Sequence, residues 1–259
     1  MQLPRTKQKA TTDYTKVTML LYGDPKIGKS TFCSRFENAF FIATEPGLNH
    51  LETYNLRATN WDECWEILFE LQETDMNFSP IVVDTVDKLW DLCTVEIASR
   101  NGVQCIDNIG FAKGYKQAKV EFERYIQALV NLNTGLIFTS HCAYEEYTNR
   151  AGEQVHKFFP SLDAKYARPI INPLVDIIGY ISIEKDLDPN TGERKESRVF
   201  HAHEGELWEA GDRTCKLPPK FPFAQRIYKS FFEPKSVETQ ETRGTQGVNN
   251  VSNESSSND

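Results

Sequence analysis

The stretch Gly23-Asp24-Pro25-Lys26-Ile27-Gly28-Lys29-Ser30-Thr31 decides how the rest of this chain is read. Its first eight residues match the pattern G-x-x-x-x-G-K-[ST]. A short apolar run, residues 17–22 (VTMLLY), precedes it, and residues 29–37 predict a helix after it. A strand, a glycine loop and a helix in that order make a cradle for phosphate. Gly23 and Gly28 let the backbone curl so that successive N–H groups point inward at anionic oxygens. The helix starting near Lys29 aims the positive end of its dipole at the same anion. Lys29 offers a mobile charge to β- and γ-phosphates, and Ser30 a hydroxyl to Mg²⁺. The rival reading, a chance glycine turn with a surface lysine, does not account for the flanking strand and helix. ATP with Mg²⁺ is the expected ligand of Gly23 through Thr31.

Outward from the loop the chain alternates. Apolar runs at residues 39–43 (AFFIA), 80–84 (PIVVD) and 135–140 (GLIFTS) are separated by residues 61–73, 86–100 and 113–132, which read as helices. In the first of these, Trp61, Cys64, Trp65, Leu68 and Leu71 recur at helical spacing. Short apolar strands between amphipathic helices imply a parallel sheet covered on both faces. After Tyr144 the pattern changes: residues 177–184, the turn DPNTG at 188–192 and residues 196–203 predict an antiparallel hairpin. The expected class is α/β, a mostly parallel sheet flanked by helices with antiparallel strands added on the C-terminal side.

Composition bounds the function. The 259 residues are 39% hydrophobic and 25% charged, the balance of a soluble globular domain. No apolar run approaches the ~20 residues that cross a bilayer, and the polar, basic start lacks the apolar segment of a secretory signal. A cytoplasmic protein without a membrane partner is expected. The net charge of −8 argues against broad wrapping of nucleic acid and leaves a local basic groove open. Six scattered cysteines (Cys33, Cys64, Cys93, Cys105, Cys142 and Cys215) form no C-x-x-C pair, so reduced thiols are expected. His201, His203 and Cys215 lack finger spacing and read as a strand rather than a metal site. Residues 1–15 read as a flexible arm, 16–233 as the catalytic domain and 234–259 as a disordered polar tail, too poor in apolar residues to offset its ordering entropy.

The second half of the site is the run that ends in Asp84. In open α/β sheets ligands sit at the C-terminal ends of the strands, so Asp84 is expected to hold Mg²⁺, with water between. Its alternative role is the cap of helix 86–100, a task open to Thr85 or Asp87 as well. Thr85 follows Asp84 where some enzymes place a water-activating carboxylate. The base must then come from elsewhere, and Glu45, closing residues 40–45 (FFIATE), reaches the same sheet edge.

Residues 41–51 (FIATEPGLNHL), 81–89 (IVVDTVDKL) and 135–141 (GLIFTSH) resemble, in order, three segments of RecA-type recombinases. The chain is further similar to phage-encoded RecA-like ATPases of the AAA type that act in single-strand annealing and recombination. The segments that carry this likeness are TEPGL at 44–48, residues 114–129, residues 175–184 (VDIIGYISIE) and AGDRTCKLP at 210–218. The resemblance covers about residues 17–232. It implies a RecA-like core, Glu45 as the catalytic base that positions water, Lys29 on the phosphates, and His141 as the sensor of the γ-phosphate, where such proteins often carry Gln. Glu45 read alone is a solvated strand-end acid, and His141 a structural histidine. The length before residue 17 leaves no room for the extra N-terminal domain of cellular relatives.

The same resemblance implies two mobile loops facing single-stranded DNA, near residues 99–116 and 144–169. These stretches hold Arg100, Lys113, Lys116, Arg150, Lys157, Lys165 and Arg168, interleaved with Phe111, Tyr115, Tyr144, Tyr147, Phe158 and Phe159. Cations for phosphates and aromatics for stacking suit single strands, although any long loop is polar. An oligomer with ATP at subunit interfaces is also implied, completed by a cation from the neighbour, with Arg213 first and Lys185 or Arg168 behind it. Phe221-Pro222-Phe223-Ala224 echoes the Phe-x-x-Ala link between recombinase protomers. A single-strand-binding protein is a candidate partner of the tail. The expected function is DNA-stimulated ATP hydrolysis in phage recombination, annealing or replication. The rivals are a P-loop kinase for a small acceptor, which needs an arginine-rich lid, and a non-hydrolysing nucleotide-gated adaptor.

Overall fold

A computed structural model of the chain describes residues 13–110, 112–148, 151–187 and 194–233, together with 3 and 5–7. The four apolar runs become parallel strands: β1 (Met19–Gly23), β2 (Phe40–Ala43), β4 (Ile81–Asp84) and β5 (Leu136–Ser140), with a short β3 (Tyr54–Arg57) outside β2. The helices between them are α1 (Lys29–Cys33), α2 (Trp61–Glu73), α3 (Val86–Arg100) and α4 (Lys113–Val130). Then follow the hairpin β6 (Cys142–Thr148) and β7 (Gln154–Pro160), α5 (Arg168–Leu174), β8 (Ile177–Leu187), β9 (Arg194–His201), β10 (Gly211–Asp212), β11 (Lys220–Pro222) and α6 (Gln225–Ser230).

The main sheet runs β11-β9-β8-β1-β5-β4-β2-β3, with β10 also on β8. It is parallel from β8 to β3, while β9, β10 and β11 are antiparallel to their neighbours. This is the expected α/β class, a mostly parallel sheet flanked by helices with antiparallel strands on the C-terminal side. Period-two alternation splits each central strand between two cores. Leu20, Ile42, Val83 and Phe138 face α2, α3 and α4, where Trp61, Leu89 and Phe122 bury. Leu21, Phe41, Val82 and Ile137 face α1 and α6, over Phe32, Phe36 and Tyr228.

Local chemistry sets several boundaries. The α2 helix starts where Asn60 accepts from the Glu63 amide and Glu63 reaches back to the Thr59 amide at 2.6 Å, a reciprocal cap. The α1 helix stops at Cys33, short of the expected residue 37, because Phe32, Cys33 and Phe36 all enter the core before the chain turns into β2. Tyr14 stands at the end of the expected arm and packs on Phe36 and Tyr228. The 188–192 turn and the 234–259 tail lie outside the described residues. Among the described residues no helix is long and apolar enough to cross a membrane.

One expectation needs correction. The stretch 144–169, expected as a mobile loop, forms most of the β6–β7 hairpin and leads into α5. Its strands form a two-stranded sheet of their own, and Phe158 ties them to the body through bonds with Leu207 and Glu209 and a bridge to Trp208. The stretch 99–116 contains the end of α3, a single 3-10 turn (Ile106–Asn108) with Ile106 buried, and the start of α4.

Candidate nucleotide site

Register brings the site together. Ala43 pairs with Asp84, Asp84 with Thr139, and Tyr22 with Ser140, so β2, β4, β5 and β1 end on one edge. The loop from Gly23 to Thr31 stands on that edge. Gly28 has φ of +108°, a left-handed value that favours glycine. Gly23 is needed for a different reason: a Cβ there would lie 2.7 Å from the Ile181 carbonyl oxygen of β8. Lys26 also has positive φ, 64°, and Ile27 is buried in the α1-side core. Asp24 and Pro25 shape the turn, Ile27 N–H bonding back to the Asp24 carbonyl at 3.3 Å. Thr31 is exposed on α1.

Lys29 is buried, and its Nζ donates to the Gly23 and Asp24 carbonyls at 2.8 and 3.0 Å. Burial pushes its ammonium below the usual lysine range, against the pull of Asp84, Asp87 and Asp24. Ser30 Oγ donates to Asp84 Oδ2 at 2.7 Å, although the two residues are 54 apart in sequence. The other Asp84 oxygen accepts from Thr139. Asp84 therefore does not cap α3, whose first flanking residue, Thr85, makes no side-chain cap bond either. A hydroxyl beside a carboxylate is a hard-oxygen donor pair suited to Mg²⁺, which keeps waters and phosphate oxygens as its other ligands. Among the described residues no cluster of three or more acidic, His or Cys side chains forms a closed metal cage.

Glu45 and His141 meet across the same edge, with His141 Nε2 3.7 Å from Glu45 Oε2. The other ring nitrogen, Nδ1, lies 2.7 Å from Asp87 Oδ2, and the His141 amide donates to Asp87 Oδ1 at 3.3 Å. This hydrogen bond to Asp87 lifts the imidazole above its ordinary value. Burial would raise the Asp87 carboxyl, but the bond and charge of His141 outweigh it and hold Asp87 low. Burial lifts Glu45 above the usual carboxylate range, tempered by His141. Glu45, His141, Asp84, Lys29 and Ser30 line one cavity of about 530 Å³ with the loop.

Sequence reasoning had weighed Asp87 only as a cap and did not single out Thr139 or Thr44. Asp87 follows Asp84 by three residues, one helical turn into α3, which is the signal that could have found it. Thr44 bridges the strand ends, its hydroxyl bonding the Thr85 amide and carbonyl at 2.8 Å each.

Other expected residues lie apart from this edge or are already engaged. Arg168 pairs with Glu145 at 2.6 Å and donates to the Pro160 and Leu162 carbonyls, so it is engaged within its own chain. Arg213 flanks β10 at the opposite end of β8, where Asp212 pairs with Ile177, and donates to the Pro173 carbonyl. Lys185 pairs with Glu196. Phe221 is buried against Phe200, and Phe223 stacks on Phe32, so both rings of this Phe-x-x-Ala segment pack within their own chain. Of the cations expected to face DNA, Arg100 and Lys157 are also in ion pairs. Tyr144 and Tyr147 are exposed on the hairpin, while Phe111 and Arg150 lie outside the described residues.

The SPbeta prophage-derived uncharacterized protein YorG of Bacillus subtilis (strain 168) is 24% identical over 169 residues, 62% of this chain and 49% of the relative. The chain thus spans about half the length of that curated relative. The KaiC-like protein PH0186 of Pyrococcus horikoshii OT3 superposes with a TM-score of 0.42 at 12% identity, over 80% of this chain and 84% of that one. A model of the AAA domain family matches residues 15–214. That span opens just before β1 and closes after β10, taking in the loop, Glu45, Asp84 and His141. The chain belongs to the AAA domain family of P-loop nucleotide-binding proteins.

Proposed function

We propose that this protein hydrolyses ATP at the edge formed by β1, β2, β4 and β5, and that it acts on single-stranded DNA. The observation that carries the hydrolytic reading is the 2.7 Å approach of Ser30 to Asp84, with Lys29 and Glu45 on the same cavity wall. The pair would hold Mg²⁺, and Lys29 would exchange its loop carbonyls for phosphate oxygens. Mg²⁺ supplies charge neutralisation for the phosphates when bound. Glu45 orients the attacking water and accepts its proton, a task favoured by a carboxyl lifted above its ordinary value. His141 sits between Glu45 and Asp87 and begins the turn into β6, so a change at Glu45 reaches the hairpin through one residue.

The DNA part of the proposal draws on the exposed Tyr144 and Tyr147 of that hairpin, which offer ring faces for bases, and on the prophage relative. The same relative supports a phage setting, and the RecA-like resemblance supports a role there in recombination, annealing or replication. Assembly with ATP between subunits and contact with a single-strand-binding protein belong to the same proposal.

The test is ATP turnover with and without single-stranded DNA, for the wild type, Lys29→Ala and Glu45→Gln. Glu45→Gln is expected to lose about 10²–10⁴-fold in turnover while still binding ATP, and Lys29→Ala to lose binding. Turnover that survives Glu45→Gln would overturn the role of Glu45. Turnover indifferent to DNA would overturn the DNA reading.

A further inference from the structure

The segment that follows Trp208 carries a carboxyl to the place where β1, β7 and α5 meet. The Glu209 amide donates to the Tyr22 hydroxyl of β1 at 3.0 Å and to the Phe158 carbonyl of β7 at 3.1 Å, and the Glu209 carbonyl accepts from the same hydroxyl at 2.6 Å. On α5, Asn172 Nδ2 donates to Glu209 Oε1 at 2.8 Å. The second oxygen of each group, Glu209 Oε2 and Asn172 Oδ1, is buried and has no hydrogen-bond partner among the described residues. Buried acceptors left open on an already bonded pair are costly. A single proton on Glu209 Oε2 removes both. The carboxyl then donates to Asn172 Oδ1 while still accepting from Nδ2, and one bond becomes a ring of two.

The charged groups around the carboxyl are Glu145 of β6, Lys157 of β7, Arg168 of α5 and Glu204 of its own segment. Each cation already has its own carboxylate, Arg168 with Glu145 and Lys157 with Glu204, both at 2.6 Å. From β1 only the Tyr22 hydroxyl approaches, and burial keeps it neutral. Among the described residues Glu209 forms no ion pair. A charge on Glu209 would therefore be buried without a counterion of its own. Burial lifts its carboxyl above the usual carboxylate range. We propose that the closed hairpin is the protonated form of Glu209, and that the Glu209–Asn172 pair is a pH-sensitive latch joining β6–β7, α5 and β1. Tyr22 immediately precedes Gly23, so the latch fastens the hairpin to the strand that carries the phosphate loop. Once the proton leaves, the ring loses one of its two bonds and the hairpin is released from the body.

Limited proteolysis within residues 142–160 of the full chain tests the latch in the wild type, Glu209→Gln and Asn172→Asp. It is run across pH, with each rate normalised to cleavage of the unfolded chain. A raised carboxyl contributes stability that is full below the ordinary glutamate value and is lost as pH rises through the folded one. Wild-type cleavage is therefore expected to climb by up to about tenfold per pH unit between those two values and then to level off. Glu209→Gln keeps the two-bond ring without a titrating group, since its amide donates to Asn172 Oδ1, and should cleave slowly with no climb. Asn172→Asp places a second carboxyl beside the first. Two carboxyls that share a proton hold it to higher pH, so the climb should extend upward, and this variant carries the test even if Glu209→Gln does not fold. A wild-type rate flat across pH, or a climb that persists in Glu209→Gln, overturns the proposal. So does a folded Glu209→Gln variant cleaved fast at every pH, because the carboxylate itself, joined through water to the buried Arg168 Nε, is then the holding group. An Asn172→Asp profile that coincides with the wild type overturns the shared proton.

Discussion

His141 grips Asp87 twice, through its ring at 2.7 Å and through its own amide at 3.3 Å, which locks the end of β5 to the first turn of α3. The grip leaves the second ring nitrogen facing Glu45. One side chain thus joins Glu45 to the strand that leads into the hairpin.

The grip should be visible in titration. The raised pKa of His141 contributes stability that is full below the ordinary imidazole value and is lost as pH rises through the raised value. The depressed pKa of Asp87 contributes stability that is present above the ordinary carboxyl value and is lost as pH falls through the depressed one. The pair is therefore at full strength between the ordinary aspartate and histidine values. NMR titration should place His141 above the usual histidine midpoint, and Asp87→Asn should bring it down. A midpoint unmoved by Asp87→Asn would refute the coupling.

Ser30→Ala should act on metal before nucleotide. It removes the hydroxyl 2.7 Å from Asp84 and leaves the loop backbone intact. The Mg²⁺ concentration giving half-maximal turnover should rise about 10–100-fold, with little change in Mg²⁺-free ATP binding. An unchanged Mg²⁺ requirement would remove Ser30 from the metal site.

Gly23→Ala should destabilise the fold as well as the loop. The added methyl meets a backbone oxygen of β8 at 2.7 Å, and backbone cannot swing aside as a long side chain can. A loss of about 1–3 kcal/mol is expected from overpacking of this kind, read as a lower urea midpoint. An unshifted midpoint would mean that β1 and β8 separate freely here.

Tyr22→Phe should loosen the hairpin from the body. The buried Tyr22 hydroxyl donates to the Glu209 carbonyl at 2.6 Å and accepts from the Glu209 amide at 3.0 Å, beside the Phe158 carbonyl at 3.1 Å. Its removal takes a donor from the Glu209 carbonyl and leaves the Glu209 amide with the Phe158 carbonyl alone, at a cost of about 0.5–1.5 kcal/mol. Limited proteolysis within residues 142–160 should speed up. Unchanged stability and cleavage would show that the hairpin is held by its aromatic packing instead, including Phe158 on Tyr180.

The sequence alone determined the phosphate loop, the parallel strands with the helices between them, and the acid at the end of β4. Those features are local: a strand of four or five apolar residues, a glycine pattern and helical spacing are each written within about ten neighbours. It also placed Glu45 and His141 at strand ends, because parallel strands of similar length finish on one edge. The hairpin after Cys142 was not legible, since its two strands bury little of either face and show no clean alternation. Tertiary structure alone decided that Asp87 faces His141, that Thr139 shares Asp84 with Ser30, and that Tyr22 bonds Glu209. Each of these pairings joins segments more than fifty residues apart. Strand register and helix packing set such distances, and no run of neighbouring residues encodes them.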